Sequence, residues 1–174
     1  NLLSEQAQTI ANGWEPKIRI ACDSIVDITP VFKGIEAFLA EHENIEIDVK
    51  EEVMNGTWEA LIEDRVELII GAPSPVPSQK GIRAVKIGEL NSVLVASKSH
   101  PLSKKLSRTK ALVESSALTK YRSIIVHDSA KNEIPWSINV LEGSQKFFVS
   151  SISQKISAIR AGIGIGYLPN DLVQ

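Results

Sequence analysis

The side chains able to do chemistry in this 174-residue chain are few and scattered. His42, His100 and His127 each sit among residues typical of loops or strand ends, and no pair has metal-ligand spacing. A serine nucleophile needs a histidine and an orienting acid beside it, and no serine lies in a Gly-x-Ser-x-Gly turn. Cys22 is the single thiol, so there is neither an internal disulfide nor a cysteine-based metal cage. It ends an apolar run and reads as a buried small apolar residue. The carboxylates of the first half fall on helix faces and strand exteriors, where solvated charge is the default. Gly162-Ile163-Gly164-Ile165-Gly166 has a superficial dinucleotide look, but it follows a helix where a phosphate loop would open one. The sequence therefore points to no enzyme, no metal and no cofactor.

What is left is ligand-holding chemistry. In Lys17 to His42 an apolar run, Ile18 to Cys22, is broken by Asp23, Ser24 and Asp27 before a helical pattern begins. A loop between a buried strand and a helix start offers unpaired N–H groups and the positive end of the helix dipole. The plainer alternative is that these polar side chains satisfy only their own loop and cap.

The elements that position these residues follow from periodicity. Residues 1–12 read as the end of a helix stopped at Gly13, and Trp14-Glu15-Pro16 as a stiff joint. Thr29 reads as an N-cap with Pro30 first in the next helix, whose stripe is Val31, Phe32, Ile35, Phe38 and Leu39. Ile45 to Glu52 alternates as a strand with one wet face, Asn55-Gly56-Thr57 opens a helix, and Val66 to Gly71 reads as a buried strand. That is the βαβαβ order of a mainly parallel sheet. Strands are predicted at Ile82–Ile87 and Leu90–Ser97, the latter ended by His100-Pro101, and a basic polar segment follows. A helix is predicted over Thr109–Leu118, and strands over Arg122–Val126 and Lys146–Val149. Ser151 with Gln154 forms a capping box for a helix with an Ile152, Ile156, Ile159 stripe, ended by Gly162. The glycines that follow mark close backbone packing.

The net charge of −2 argues against this chain gripping DNA alone. Residues 1–96 carry eight Lys/Arg against sixteen Asp/Glu, and residues 97–174 eleven against five. These are two solvated faces of opposite sign, or an acidic half and a basic half that face each other. No membrane span and no leader is visible, and a reducing, cytoplasmic home is expected.

Four segments, IRIACDSIVDITPVFKGIEAFLAEHENIEIDVKEE, LIEDRVELIIGAP, VLVASKSHPL and AIRAGIGIGYLP, resemble in order and spacing the effector-binding domain of LysR-type transcriptional regulators. The resemblance runs from Trp14 to Leu168. It implies an α/β, two-lobed, type 2 periplasmic-binding-protein-like fold with lobes joined by two crossover strands, near Leu90–Ser97 and Ile163–Tyr167. Residues 1–13 would end a linker helix, residues 14–96 plus 163–174 would form lobe I, and residues 97–162 lobe II. A small-molecule effector would sit between the lobes on Asp23, Ser24, Met54 and Asn55, beside Val53, and on Phe148, Ser150 and Ser151. Asp23, where the family often has serine or threonine, would shift preference away from a simple carboxylate. The resemblance further implies a homodimer or tetramer, DNA contact only through an N-terminal winged helix-turn-helix outside this sequence, and no membrane partner. Thr57–Arg65 and Ile45–Glu52 would be candidate subunit contacts, with Trp58 as simple core the alternative. An extracytoplasmic solute-binding receptor of the same fold is the competing class.

Overall fold

The computed structural model describes residues 2–11, 13, 15–109 and 115–173. It divides the chain into two units, Asn1–Gln79 with Ser129–Ile134, and Lys80–Asp128 with Pro135–Gln174. The chain therefore leaves the first unit after Gln79 and returns to it for six residues.

In the first unit, β1 (Lys17–Asp23) is central, with β2 (Glu46–Glu52) and β3 (Leu68–Ile70) parallel on either side. The register sets Ala21 beside Lys50 and Ile69. Helices α2 (Ile28–Glu41) and α3 (Asn55–Ile62) are the crossovers, and α1 (Leu2–Ala11) precedes β1. This is the predicted parallel βαβαβ order. Its core gathers Ala21, Ala60 and Val66, with Leu61 and Ile69 packed on them. Trp58 is buried and its Nε1 donates to the Pro73 carbonyl at 2.7 Å, so it is part of the core.

Several local expectations are corrected. The cap of α2 is Asp27, whose carboxylate accepts from Thr29 N, so the helix begins at Ile28 and Pro30 is its third residue. That hydrogen bond is also the main reason the Asp27 carboxyl lies below its ordinary range. The predicted α2 stripe exists, but α2, all of it described, has no buried residue, and Phe32 is 51% exposed. The strand predicted over 66–71 shrinks to β3, and Leu68 is exposed because it lies on an edge strand. Residues 82–87, all described, form no strand. Trp14 lies outside the described residues, as does much of the helix predicted over 109–118.

In the second unit, β4 (Ser92–Val95) pairs antiparallel with β7 (Gly166–Pro169), and β5 (Ser123–Val126) pairs parallel with β6 (Lys146–Val149). A parallel bridge between Ser123 and Ile165 joins the two pairs. Helices α4 (Pro101–Thr109), α5 (Ser115–Leu118) and α6 (Ile152–Arg160) complete it. Leu102, Leu118 and Ile165 form a core cluster. The stretch read as a strand end and a basic polar segment starts α4 instead. His100 Nδ1 accepts from Leu102 N at 3.2 Å and Pro101 supplies the first helical residue. An accepting Nδ1 is a deprotonated one, in keeping with burial, which lowers the His100 pKa.

The glycines after α6 behave as predicted. Gly162 ends the helix at φ +77°, and a Cβ on Gly164 would lie 2.2 Å from the Arg122 carbonyl oxygen. The buried face of α6 is Lys155, Ala158 and Ile159, so of the predicted isoleucine stripe Ile159 is buried while Ile152 and Ile156 are half-buried, and Lys155 lies inside. Gly166 explains the shift, because the bare backbone there leaves room for Lys155, whose Cε a Cβ would meet at 2.9 Å.

Candidate functional site

The first unit builds a polar cluster at the carboxyl end of β1. Parallel sheets present ligands at that edge because strand ends and helix starts converge there. Asp23 is 5% exposed, yet its carboxylate is fully engaged. Oδ1 accepts from Ile25 N at 3.1 Å, and Oδ2 accepts from Met54 N at 2.7 Å and from the Thr57 hydroxyl at 3.0 Å. Ser24 is buried, and its N–H extends the sheet by donating to the Glu52 carbonyl at 2.8 Å. Asp23 lies next to Cys22, and burial, with that carboxylate second, pushes the Cys22 thiol up, as an inert thiol requires.

Met54 caps α3 without a side-chain bond and stands at φ +53°, a conformation that a residue with a Cβ holds only when its surroundings fix it. Its N–H bond to Asp23 is one such fixture. Asn55 is buried, and its Nδ2 donates to the Ile134 carbonyl at 3.1 Å. Asp23, Ser24, Met54 and Asn55 thus come together at one end of one unit, as the sequence reading grouped them.

The returning segment 129–134 was not foreseen as part of this cluster. Ser129 Oγ accepts from Val53 N at 2.8 Å and donates to the Glu52 carboxylate. Glu59, 1% exposed, accepts from the N–H groups of Lys131 and Asn132 at 2.7 and 2.9 Å. Asn132 Nδ2 reaches Glu63 at 2.7 Å and is the main cause of the lowered Glu63 pKa. Gly56 lets this segment approach, since a Cβ there would lie 2.0 Å from Ser129 Oγ and 2.7 Å from Ala130 N. Nothing local in the sequence signals these contacts, because each joins residues 69 or more positions apart. Thr57, completely buried, is also a member that sequence reading used only as a helix start.

The second unit carries the other candidates, and they differ in kind. Phe148 is 48% exposed on β6 and stacks on His127 at 4.6 Å with an interplanar angle of 13°. It lines an open cavity of about 440 Å³ together with Ile125, Asn139, Glu142 and Lys146. Ser150 and Ser151 do not line it. Ser151 is buried, and its Oγ takes the Gln154 N–H at 3.3 Å as the cap of α6. The Gln154 side chain returns to Ser150 N at 2.9 Å, one residue before the cap, in a variant of the predicted box. Both serines thus serve the start of their own helix.

Among the described residues there is no group of three or more side chains able to hold a metal ion, and no helix long and apolar enough to cross a membrane.

Comparison with known proteins places this geometry. The family model described as the LysR substrate binding domain matches residues 11–174. The chain is 30% identical over 172 residues to the probable HTH-type transcriptional regulator YhaJ of Escherichia coli K12, covering 99% of this chain and 56% of that protein. It is 30% identical over 168 residues to the HTH-type transcriptional regulator PunR of the same organism, covering 95% and 52%. The chain thus spans about half the length of the curated relatives it matches. Among solved structures it is similar to the effector binding domain of a BenM variant, with TM-score 0.62, 21% identity, and coverage of 92% of this chain and 76% of that one. It is also similar to the effector binding domain of QuiR in complex with shikimate, with TM-score 0.59, 13% identity, and coverage of 88% and 73%. Those likenesses show the fold, the type 2 periplasmic-binding-protein-like arrangement of LysR regulatory domains.

Proposed function

Since this chain belongs to the LysR substrate-binding domain family, we propose that it is the ligand-sensing part of a bacterial transcription regulator. It binds a small-molecule effector, and binding changes how the full-length protein holds DNA through a winged helix-turn-helix elsewhere in it. The observation that carries this is the buried polar cluster of Asp23, Ser24, Asn55 and Thr57 at the carboxyl end of a parallel sheet. We assign Asp23, Ser24, Met54 and Asn55 in the first unit, and Phe148, Ser150 and Ser151 in the second, as effector contacts. The full-length protein works in the cytoplasm as a homodimer or tetramer, and this domain catalyses no reaction. The regulator reading is favoured over an extracytoplasmic receptor because the relatives above are named as transcriptional regulators.

Mechanistically, the effector needs different affinities for the DNA-competent and DNA-incompetent states, with a coupling of about 1–3 kcal/mol. The test uses the full-length regulator and its upstream DNA. Small amides, amines, aromatics and carboxylates are screened by thermal shift, and hits are carried to DNA-binding anisotropy. A hit should move DNA affinity by roughly 5–150-fold, and Ser24→Ala or Phe148→Ala should weaken the response. A hit that stabilises the protein but leaves DNA affinity unchanged would sink the sensor reading.

A further inference from the structure

The cavity beside Phe148 is built entirely from the second unit. Part of its lining is one face of the β5–β6 pair. Ile125 and Phe148 are register partners and Lys146 lies two residues before Phe148, so the pleat sets all three on the same face. The rest comes from the segment 137–142, which supplies Asn139, Val140 and Glu142. This segment is anchored at each end. Trp136 N–H donates to the Asp128 carboxylate at 2.7 Å, and Leu141 packs on the cluster of Leu102, Leu118 and Ile165. Ser144 N–H then closes a turn on the Leu141 carbonyl at 3.3 Å, with Gly143 at φ +79°. Asn139 stands at φ +56°, a left-handed backbone that asparagine adopts more readily than most residues.

The chemistry of the lining is specific. At about 440 Å³ the cavity falls in the range of small-molecule sites, roughly 300–1,000 Å³. Ile125, Val140 and Phe148 are its apolar part. The Phe148 ring stacks on His127 and is still half exposed, so it keeps surface for a second ring. Glu142 and Lys146 give the same cavity one charge of each sign. Among the described residues neither forms an ion pair or a side-chain hydrogen bond, so they do not answer each other. They stand four residues apart round the Leu141–Ser144 turn, which keeps them at one end of the lining. Opposite charges placed so are satisfied together by a head group that carries both signs. An ammonium for Glu142 and a carboxylate for Lys146, on neighbouring atoms, make the head group of an α-amino acid.

We infer that this cavity is a binding site for a small zwitterion bearing an aromatic ring, of the α-amino-acid class. The ring lies against Phe148, Ile125 and Val140, and the two charges of the head group meet Glu142 and Lys146. This goes beyond the effector reading, because the site is complete within the second unit and uses neither Ser150 nor Ser151.

The experiment measures binding of L-phenylalanine, 3-phenylpropionate and phenethylamine to the full-length protein by calorimetry. The three share one ring and chain and carry both charges, the carboxylate alone and the ammonium alone. Phenylalanine should bind about tenfold or more tightly than either of the others, the worth of one charge-assisted hydrogen bond. Glu142→Gln should erase its advantage over 3-phenylpropionate, and Lys146→Gln its advantage over phenethylamine. Both residues are exposed, so the variants keep the fold. Phe148→Leu should weaken all three compounds. Phenylalanine that binds no more tightly than the singly charged compounds, or does not bind at all, overturns the inference. So does an advantage that survives both substitutions, which would make Glu142 and Lys146 ordinary solvated charges. DNA affinity is not read here, so each of these results leaves the effector reading as it stands.

Discussion

The carboxyl end of β1 and the carboxyl end of β6 are equivalent places in two parallel sheets, yet they are finished differently. At β1 the polar groups answer one another around buried Asp23, Thr57 and Glu59: Asp23 with Met54 and Thr57, Glu52 with Ser129, Glu59 with Lys131 and Asn132. At β6 an aromatic ring is half exposed beside an open cavity, and of the two serines that follow, Ser151 caps α6 while Ser150 N–H holds the Gln154 side chain. The first arrangement is pre-organised, because each donor has a fixed acceptor before any ligand arrives. The second leaves surface to be covered. The first end thus offers fixed hydrogen-bond chemistry, and the second an open aromatic surface.

The contrast can be broken most forcefully at Gly56. Gly56→Ala sets a methyl against the backbone of 129–130, and we expect a loss of about 3 kcal/mol in urea unfolding. A loss below ~0.5 kcal/mol would mean that the returning segment is loosely held.

Asp23→Ala comes next. It strips the acceptor from two backbone N–H groups and a hydroxyl, at a cost of roughly 2–3 kcal/mol by the same measurement. Asp23→Asn should lose clearly less, because an oxygen acceptor remains.

Lys155 tests the second unit through pH. Burial lowers its pKa to about 8, and no carboxylate is paired with it among the described residues. In the unfolded chain it titrates near 10.4. Below pH 8 both states hold the proton, and the folded state bears the full penalty of burying a charge. Between the two values the unfolded state binds more protons, so stability rises as pH increases through that window. The gain is on the order of 3 kcal/mol, and Lys155→Met should abolish it while raising stability at pH 7. A pH profile that is the same in both proteins would show that the ammonium reaches water.

The smallest effect is expected at Ser151. Ser151→Ala removes the α6 cap and should cost about 1 kcal/mol. If effector affinity falls by more than that stability loss explains, Ser151 touches the ligand and the two ends differ less.

How far these sites could be read beforehand depends on the range of the forces that make them. β1, β5 and the Gly162 stop are governed by residues a few positions apart, and the apolar runs and the glycine specify them. The grouping of Asp23 and Ser24 with Met54 and Asn55 follows from the βαβ order, since parallel strands deliver their carboxyl ends to one edge. The segment 129–134 was illegible because its hold on Glu52, Glu59 and Gly56 is purely tertiary. Lys155 misled for a related reason: a lysine inside a helical pattern signals the wet face unless a glycine on a distant strand makes room. At Thr29-Pro30 the local signals competed, and the Asp27 carboxylate, a stronger acceptor two residues earlier, took the cap.

The return of six residues to the first unit has a consequence for how the protein is made. A ribosome completes Gln79 and must then add about fifty residues before Ser129 exists. At about 5–20 residues per second that is roughly 3–10 s. Throughout that interval Glu59 and Val53 N–H lack the partners that satisfy them in the finished molecule. The nascent first unit is therefore an unfinished piece whose polar interior is open to water, and the speed of translation from Lys80 to Ser129 sets how long it stays so.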